Sequence, residues 1–449
     1  MKVMVVFPGS IVRGRYRPLI TILIVTINVL VYIYTTSRGT PLLVSSEEIF
    51  YKYGFIPHYL LTDLYEGVLR IFTSMFIHAD IVHIFFNMYF LWIFGNRVEG
   101  IIGHGKIVAL YLLSGLAAVL FHIAFIPIGG YESLAIPAVG ASGAISGVLG
   151  AYLLMFPYTR LSMCLFYFFI PLCFNLSASA FLIFWFATQV IYGYFRLGGV
   201  AYFAHVGGFV MGLFLIPHLY KPGVKPPSYL EHVLRYLYEY LGIQVVKPKA
   251  LGKVAKITLI ILLLVITGGF LYSTFISSNT IVYQATVSAN GEAESFYISI
   301  NPLDITPTPI TTEKVRIVTN RLLPLVYNET LASKSVKFSR LEYTVRIYGV
   351  QVPVIITNYN GFYDEHGVLV EASGVMHTVS VRVGGGIVAR GEEVMASFTY
   401  KGLYINTSVM AGLCVIAAAL SIFAVSSVIK SEEVAVYSPP SLPATYPYL

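Results

Sequence analysis

The sequence predicts a polytopic α-helical membrane protein whose second half carries an all-β, sandwich-like domain between two further spans. Three observations predict it. Of the 449 residues, 57% are hydrophobic and only 11% are charged, where soluble chains carry about a quarter charged. The apolar residues gather in long runs at 19–35, 107–125, 257–270 and 409–428, and roughly 20 apolar residues cross the hydrocarbon core as a helix. Residues 275–407 then change pattern to period 2. Tyr343, Val345 and Ile347 alternate with Thr344, Arg346 and Tyr348, and Val379, Val381 and Val383 with Ser380 and Arg382, before a turn at Gly384-Gly385-Gly386.

Eight spans are expected, near 19–36, 81–96, 106–126, 142–158, 176–195, 202–219, 254–273 and 408–428. The stretch 160–196 is too long for one straight crossing and holds Pro171 and Asn175. It is read as an interfacial piece followed by a single span. One crossing there puts the basic N-terminus, Arg97, Lys106, Arg160 and the lysine-rich loop ending at Lys256 on one side, as the positive-inside rule favours. Both termini are then cytoplasmic, in a cell membrane. Within that loop Ser228 and Glu231 form a capping-box pair ahead of Leu230, Val233, Leu234, Leu237 and Leu241, an amphipathic helix against the inner surface. The tail from Pro439 has the composition of a disordered end.

The net charge of +7 does not indicate nucleic-acid binding, because the basic residues lie in the loops between spans. Cys164, Cys173 and Cys414 sit in apolar segments, so the polar stretches carry no disulfide framework. Asn328 and Asn406 match the short glycosylation pattern.

Polar residues within spans are expensive and need a reason. His83 and Asn87 are four apart and share a helix face, with His78 just ahead of them. The five-residue histidine spacing suits a metal poorly, and no metal or cofactor is expected. Gly140-Ala141-Ser142-Gly143 opens the fourth span, and taken alone it reads as small-residue helix packing. His205, with Gly208 and Gly212 on the same face, taken alone reads as a satisfied buried histidine. Together, His83, Ser142 and His205 enter from one side at similar depth. A serine beside a histidine base is a nucleophile, and His83 and Asn87 are donors for an oxyanion.

These residues, in this order, resemble the rhomboid family of intramembrane serine proteases over residues 1–220. His78, His83 and Asn87 are followed by Gly140-Ala141-Ser142-Gly143, then Ala204-His205 with Gly207, Gly208 and Gly212. Gly95-Asn96, Glu99 and Gly103 also fit the family pattern. The resemblance implies a six-helix core that hydrolyses peptide bonds in or near the transmembrane segments of membrane-protein substrates. It implies Ser142 as nucleophile and His205 as base in a dyad without a third member, and His83, Asn87 and the Ser142 N–H as oxyanion donors. His78, Arg70, Glu99, Gly140, Gly143 and Gly208 take structural places near the site. Trp185, with Gln189, lines the substrate's lateral gate. Leu69 stands where the family often has tryptophan before the arginine.

The expected organisation is a core at 1–220, a basic loop at 221–253, a seventh span at 254–273, an outer β domain at 275–407, an eighth span at 408–428 and a tail at 429–449. The outer domain either recruits a substrate or partner or tethers the two extra spans. Two other readings compete with the enzyme. A non-catalytic relative typically lacks the serine or the histidine, and both are present. A transporter predicts an inverted repeat, and none is evident.

Overall fold

The computed structural model describes residues 4–8, 16–36, 44–167, 170–220, 250–301, 304–384 and 387–436. The expected amphipathic helix after Lys221 and the tail from Pro439 lie outside the described residues. The chain divides into two compact units. One comprises Met1–Gly129, Leu134–Thr274 and Met410–Leu449, and the other Gly130–Ser133 and Phe275–Val409.

The first unit is helical. Helix α1 (Leu19–Thr36) is followed by three short helices, α2 (Glu47–Tyr53), α3 (Pro57–Thr62) and α4 (Leu64–Ser74). Helix α5 (Ile81–Phe90) runs through a π turn at Leu91–Gly95 into α6 (Asn96–Ile102). The helical path thus continues past the end expected at residue 96. Gly95 packs on Thr21, and the charged residues beyond it find partners: Arg97 Nη1 donates to Tyr152 Oη at 2.9 Å.

Then come α7 (His104–Gly129), α8 (Ser142–Met155), α9 (Ala178–Tyr194) and α10 (Tyr202–Leu219). Between α8 and α9 the segment expected to precede the single span is an antiparallel hairpin, β2 (Arg160–Tyr167) and β3 (Ile170–Ser177), joined at its edge by β1 (Met4–Pro8). A short apolar run is equally compatible with a buried strand, which is why the sequence did not separate the two.

Among the described residues, five helices are long and apolar enough to cross a membrane: α1, α7, α10, and the two outside the 1–220 region, α11 (Lys253–Ser278) and α13 (Thr407–Ile429). Helices α8 and α9 are apolar but shorter. At 14 residues α8 is about 21 Å long, well under the ~30 Å hydrocarbon thickness. Every residue from Gly143 to Met155 is buried, so α8 is the central helix and its neighbours shield it all round.

Helices α8 and α10 touch backbone to backbone. A Cβ on Gly208 would fall onto the Gly143 carbonyl, and one on Gly212 onto the Gly147 carbonyl. Small residues at this spacing let apolar helices approach closely, where association rests on packing. Helix α11 joins the same unit through Phe270, whose ring lies 4.9 Å from Phe121 and 5.8 Å from Phe203. The Ala124 carbonyl, on α7, accepts from Ser273 Oγ at 2.6 Å and from Cys414 Sγ at 3.2 Å, tying α11 and α13 to α7.

The second unit corrects the sandwich expectation. Its strands are β4 (Ile281–Ala289), β5 (Glu292–Asn301), β6 (Asp304–Pro307), β7 (Ser335–Ile347), β8 (Val350–Tyr363), β9 (Leu369–Gly384) and β10 (Ile387–Ile405), and they form a single seven-stranded antiparallel sheet, a half-barrel in the order β6-β5-β4-β10-β9-β8-β7. The second layer is helix α12 (Glu313–Val326), not another sheet. Val315, Val318, Leu322 and Val326 recur at helical spacing and are buried in one cluster with Ala285, Ile298, Val354, Met376 and Phe398 of the sheet. Glu294 anchors the start of α12 by accepting from the N–H groups of Thr311 and Thr312 at 2.8 and 2.7 Å.

Gly212→Ala forces a methyl group against the Gly147 backbone. It is expected to cost about 1–3 kcal/mol and to lower the thermal midpoint of the detergent-solubilised protein. Gly105→Ala, where an added Cβ meets nothing within 4 Å, should leave the midpoint unchanged. Equal midpoints for the two variants would contradict the close helix crossing.

Candidate active site

Ser142 is the first residue of α8, and His205 lies in the first turn of α10. The glycine contact that brings these helices together begins one residue after the serine and three after the histidine. The result is a direct approach, with His205 Nε2 2.8 Å from Ser142 Oγ. The N–H groups of the first turn of α8 have no acceptor within their own helix, and the helix dipole makes this end electropositive. Oγ therefore sits beside both a base and a set of backbone donors. Both Ser142 and His205 are half-buried.

His83 reaches the same place from α5. A Cβ built on Gly140 would lie 2.8 Å from His83 Nε2 and 3.7 Å from Ser142 Oγ. Gly140 has φ +120°, a conformation that disfavours any side chain, and its N–H donates to the Ser74 carbonyl at 2.9 Å. The loop entering α8 is thus pinned to the end of α4, and a bare glycine leaves room for the His83 ring. Asp80 caps α5, its Oδ1 accepting from the N–H groups of Val82 and His83 at 2.9 and 2.8 Å.

Asn87, one turn further along α5, is buried and donates from Nδ2 to the His83 carbonyl at 3.0 Å. His78 lies fully buried in the turn ahead of α5, its ring centroid 5.1 Å from that of His83. Burial, with His83 adding to it, holds the His78 imidazole down to about 3, so this ring is neutral.

The remaining expected residues divide by place. Gly143 and Gly208 meet each other at the helix crossing. Trp185 on α9 lies 6.1 Å from the His205 ring and 5.9 Å from Phe209. Arg70 belongs to the short helices after α1. Its Nε donates to Glu66 at 2.7 Å, its guanidinium reaches the Tyr51 and Gly54 carbonyls, and it lies 4.3 Å from the Tyr59 ring centroid.

Glu99 is not beside the dyad. It is sixteen residues beyond His83 on the α5–α6 path, about 24 Å at helical rise. There it accepts from the N–H groups of Ile20 and Thr21, from Thr21 Oγ1 and from His104 Nδ1, at 2.6 to 2.9 Å. It closes the N-terminus of α1. The resemblance implied a place near the site, and the helical length of α5 and α6 carries Glu99 away from it.

One contact was not expected. Gln189 Oε1 on α9 lies 2.8 Å from His205 Nδ1. The signal in the sequence was an amide inside an apolar span.

The fold is that of a multi-pass membrane protein with serine and histidine joined at a helix crossing. A family model for the Rhomboid domain matches residues 65–222, so the helical unit is similar to that domain. Rhomboid protein 1, mitochondrial, from Saccharomyces cerevisiae is 33% identical over 165 residues, 35% of this chain and 44% of the relative. RHOMBOID-like protein 1 of Arabidopsis thaliana is 31% identical over 186 residues, 41% of this chain and 42% of the relative. Rhomboid protease GluP of Bacillus subtilis is 37% identical over 84 residues, 19% and 15% of the two chains. The chain spans less than half the length of these relatives. Several relatives carry mitochondrial names, so they do not support the expected cell membrane.

Gly140→Ala is expected to cost about 1–3 kcal/mol of strain, part of which His83→Ala recovers by vacating the space. A double-mutant cycle on thermal stability measures the coupling. Strict additivity would mean that the ring and the loop do not meet.

Proposed function

We propose that the protein is an intramembrane serine endopeptidase that cleaves transmembrane or juxtamembrane segments of membrane proteins with a Ser142–His205 dyad. The observation carrying this reading is the 2.8 Å contact between Ser142 Oγ and His205 Nε2. His205 Nε2 takes the hydroxyl proton as Oγ attacks the scissile carbonyl carbon. The tetrahedral intermediate collapses, the C–N bond breaks, and the imidazolium returns the proton to the leaving amine. Water, deprotonated by the same nitrogen, then hydrolyses the acyl-serine.

The carbonyl oxygen becomes an oxyanion against the first-turn N–H groups of α8. His83 Nε2, beside Gly140, is placed to donate as well. Asn87 has one amide hydrogen on the His83 carbonyl and a second to offer. The dyad needs no metal or cofactor. The charge distribution supports a topology with both termini cytoplasmic and the site opening to the opposite side. The exposed apolar face of α4, formed by Leu64, Tyr65, Val68, Leu69 and Phe72, suits seating in the bilayer interface. The sheet unit's fold is compatible with both substrate recruitment and tethering.

In liposomes, the wild-type protein is expected to cleave a single-pass substrate with helix-breaking residues near one end of its span. Ser142→Ala and His205→Ala should each reduce the rate by about 10³-fold or more. Comparable cleavage by all three proteins would refute the dyad. For topology, single cysteines at Ser228 and Glu342 should be labelled from opposite sides of the membrane. Labelling from one side would overturn the orientation.

A further inference from the structure

We propose that Gln189 is a positioning residue for His205, holding the proton on Nδ1 so that Nε2 faces Ser142 as a free base. The inference rests on the protease reading and replaces its two-member site with a third, uncharged participant. An amide oxygen can only accept, so the 2.8 Å contact between Gln189 Oε1 and His205 Nδ1 requires hydrogen on Nδ1. In a neutral ring Nε2 is then the acceptor, and it lies 2.8 Å from the Ser142 hydroxyl. Which ring nitrogen carries the proton is set by the bond the other one makes.

The orientation of the amide is itself fixed. Gln189 Nε2 lies 3.3 Å from Thr188 Oγ1 and 3.5 Å from the Trp185 carbonyl oxygen. Thr188 Oγ1 donates its only hydrogen to that same carbonyl at 2.6 Å. Both neighbours of Nε2 are therefore acceptors, so the amide cannot turn over without facing oxygen to oxygen. A one-way series of donors results, from Ser142 to His205 to Gln189 to Thr188, ending on a backbone carbonyl.

The series is held rigidly. Gln189 is buried, and one turn earlier on α9 the Phe186 ring stacks on Phe209 of α10 with centroids 4.4 Å apart. The Trp185 ring lies beside that of His205, with centroids 6.1 Å apart. An amide in this position orients the base without adding a charge to an apolar interior, where a carboxylate carries a large desolvation cost.

The test uses the full chain and reads the ring directly. With ¹⁵N-labelled histidine, and His205→Gln to identify the signals, the wild type is expected to show hydrogen on Nδ1 and a bare Nε2. Gln189→Met keeps side-chain length and removes the strong acceptor. It should move the proton to Nε2 or mix the tautomers, and lower kcat by roughly 10- to 100-fold, within the range of general base catalysis, with KM within about twofold. Gln189→Glu restores an oxygen acceptor and should recover the wild-type tautomer and kcat to within about fivefold. A wild-type ring protonated on Nε2 would overturn the proposal. So would a Gln189→Met protein with unchanged kcat and tautomer. The ring signal needs no turnover, so an inactive chain whose His205 tautomer still follows residue 189 would sink the protease reading and leave the positioning bond standing.

Discussion

The backbone contact between α8 and α10 is the constraint on which the rest of the core depends. Gly143 with Gly208, and Gly147 with Gly212, leave no room for a single added carbon. In lipid, helices gain little from burying apolar surface, so intimate packing must supply the association. The same approach sets the distance between the ends of the two helices. Ser142 and His205 meet because the glycines beyond them do. Packing and catalysis are often competing explanations for a small-residue motif. Here close packing is what brings the serine and histidine side chains together.

A second constraint is that every polar group in an apolar interior needs a partner. Many groups in the core meet it by running donors toward backbone carbonyls. Ser146 Oγ donates to the Ser142 carbonyl at 2.7 Å, Thr188 to Trp185, and Ser273 and Cys414 to Ala124. The one deeply buried carboxylate among the described residues, Glu99, has acceptor capacity matched by three donors at the start of α1, the electropositive end of that helix, and by His104 Nδ1 at the start of α7. A charge is tolerated there because unfilled N–H groups are already present. At the dyad no such helix end faces His205 Nδ1, and an amide fills the place.

Much of this architecture was legible in the sequence, and what was not shares a cause. The bounds expected for the sixth span coincide with α10, because a basic or proline-marked loop flanks a clean apolar run on each side. The start of α8 at Ser142 was legible because glycine and alanine stop giving way to loop residues there. The hairpin at β2 and β3 was not, since apolar strands and apolar helices look alike over eight residues. Helix α12 was hidden by Pro324 in its last turn and by its polar outer face, so the sheet seemed to need a second sheet. The Gln189 contact was out of reach for another reason: periodicity assigns a residue to a helix face, not to an atom on the neighbouring helix.

The shortness of α8 completes the picture. A helix spanning about 21 Å cannot reach both edges of a hydrocarbon layer about 30 Å thick, so at least one of its ends lies within the protein. Its neighbours bury every residue after the first, keeping lipid from the whole length. The end that carries Ser142 is met by a loop bound to α4 through Gly140 and Ser74. A recessed helix N-terminus of this kind offers unfilled N–H groups, a favourable dipole and a half-exposed hydroxyl in surroundings of low dielectric. In water those donors would be solvated and weakened as partners for an oxyanion. Inside a ring of helices they are held oriented in surroundings of low dielectric. The bilayer is therefore part of the physical case for the site, because it permits a helix to end where a soluble fold would fill the gap.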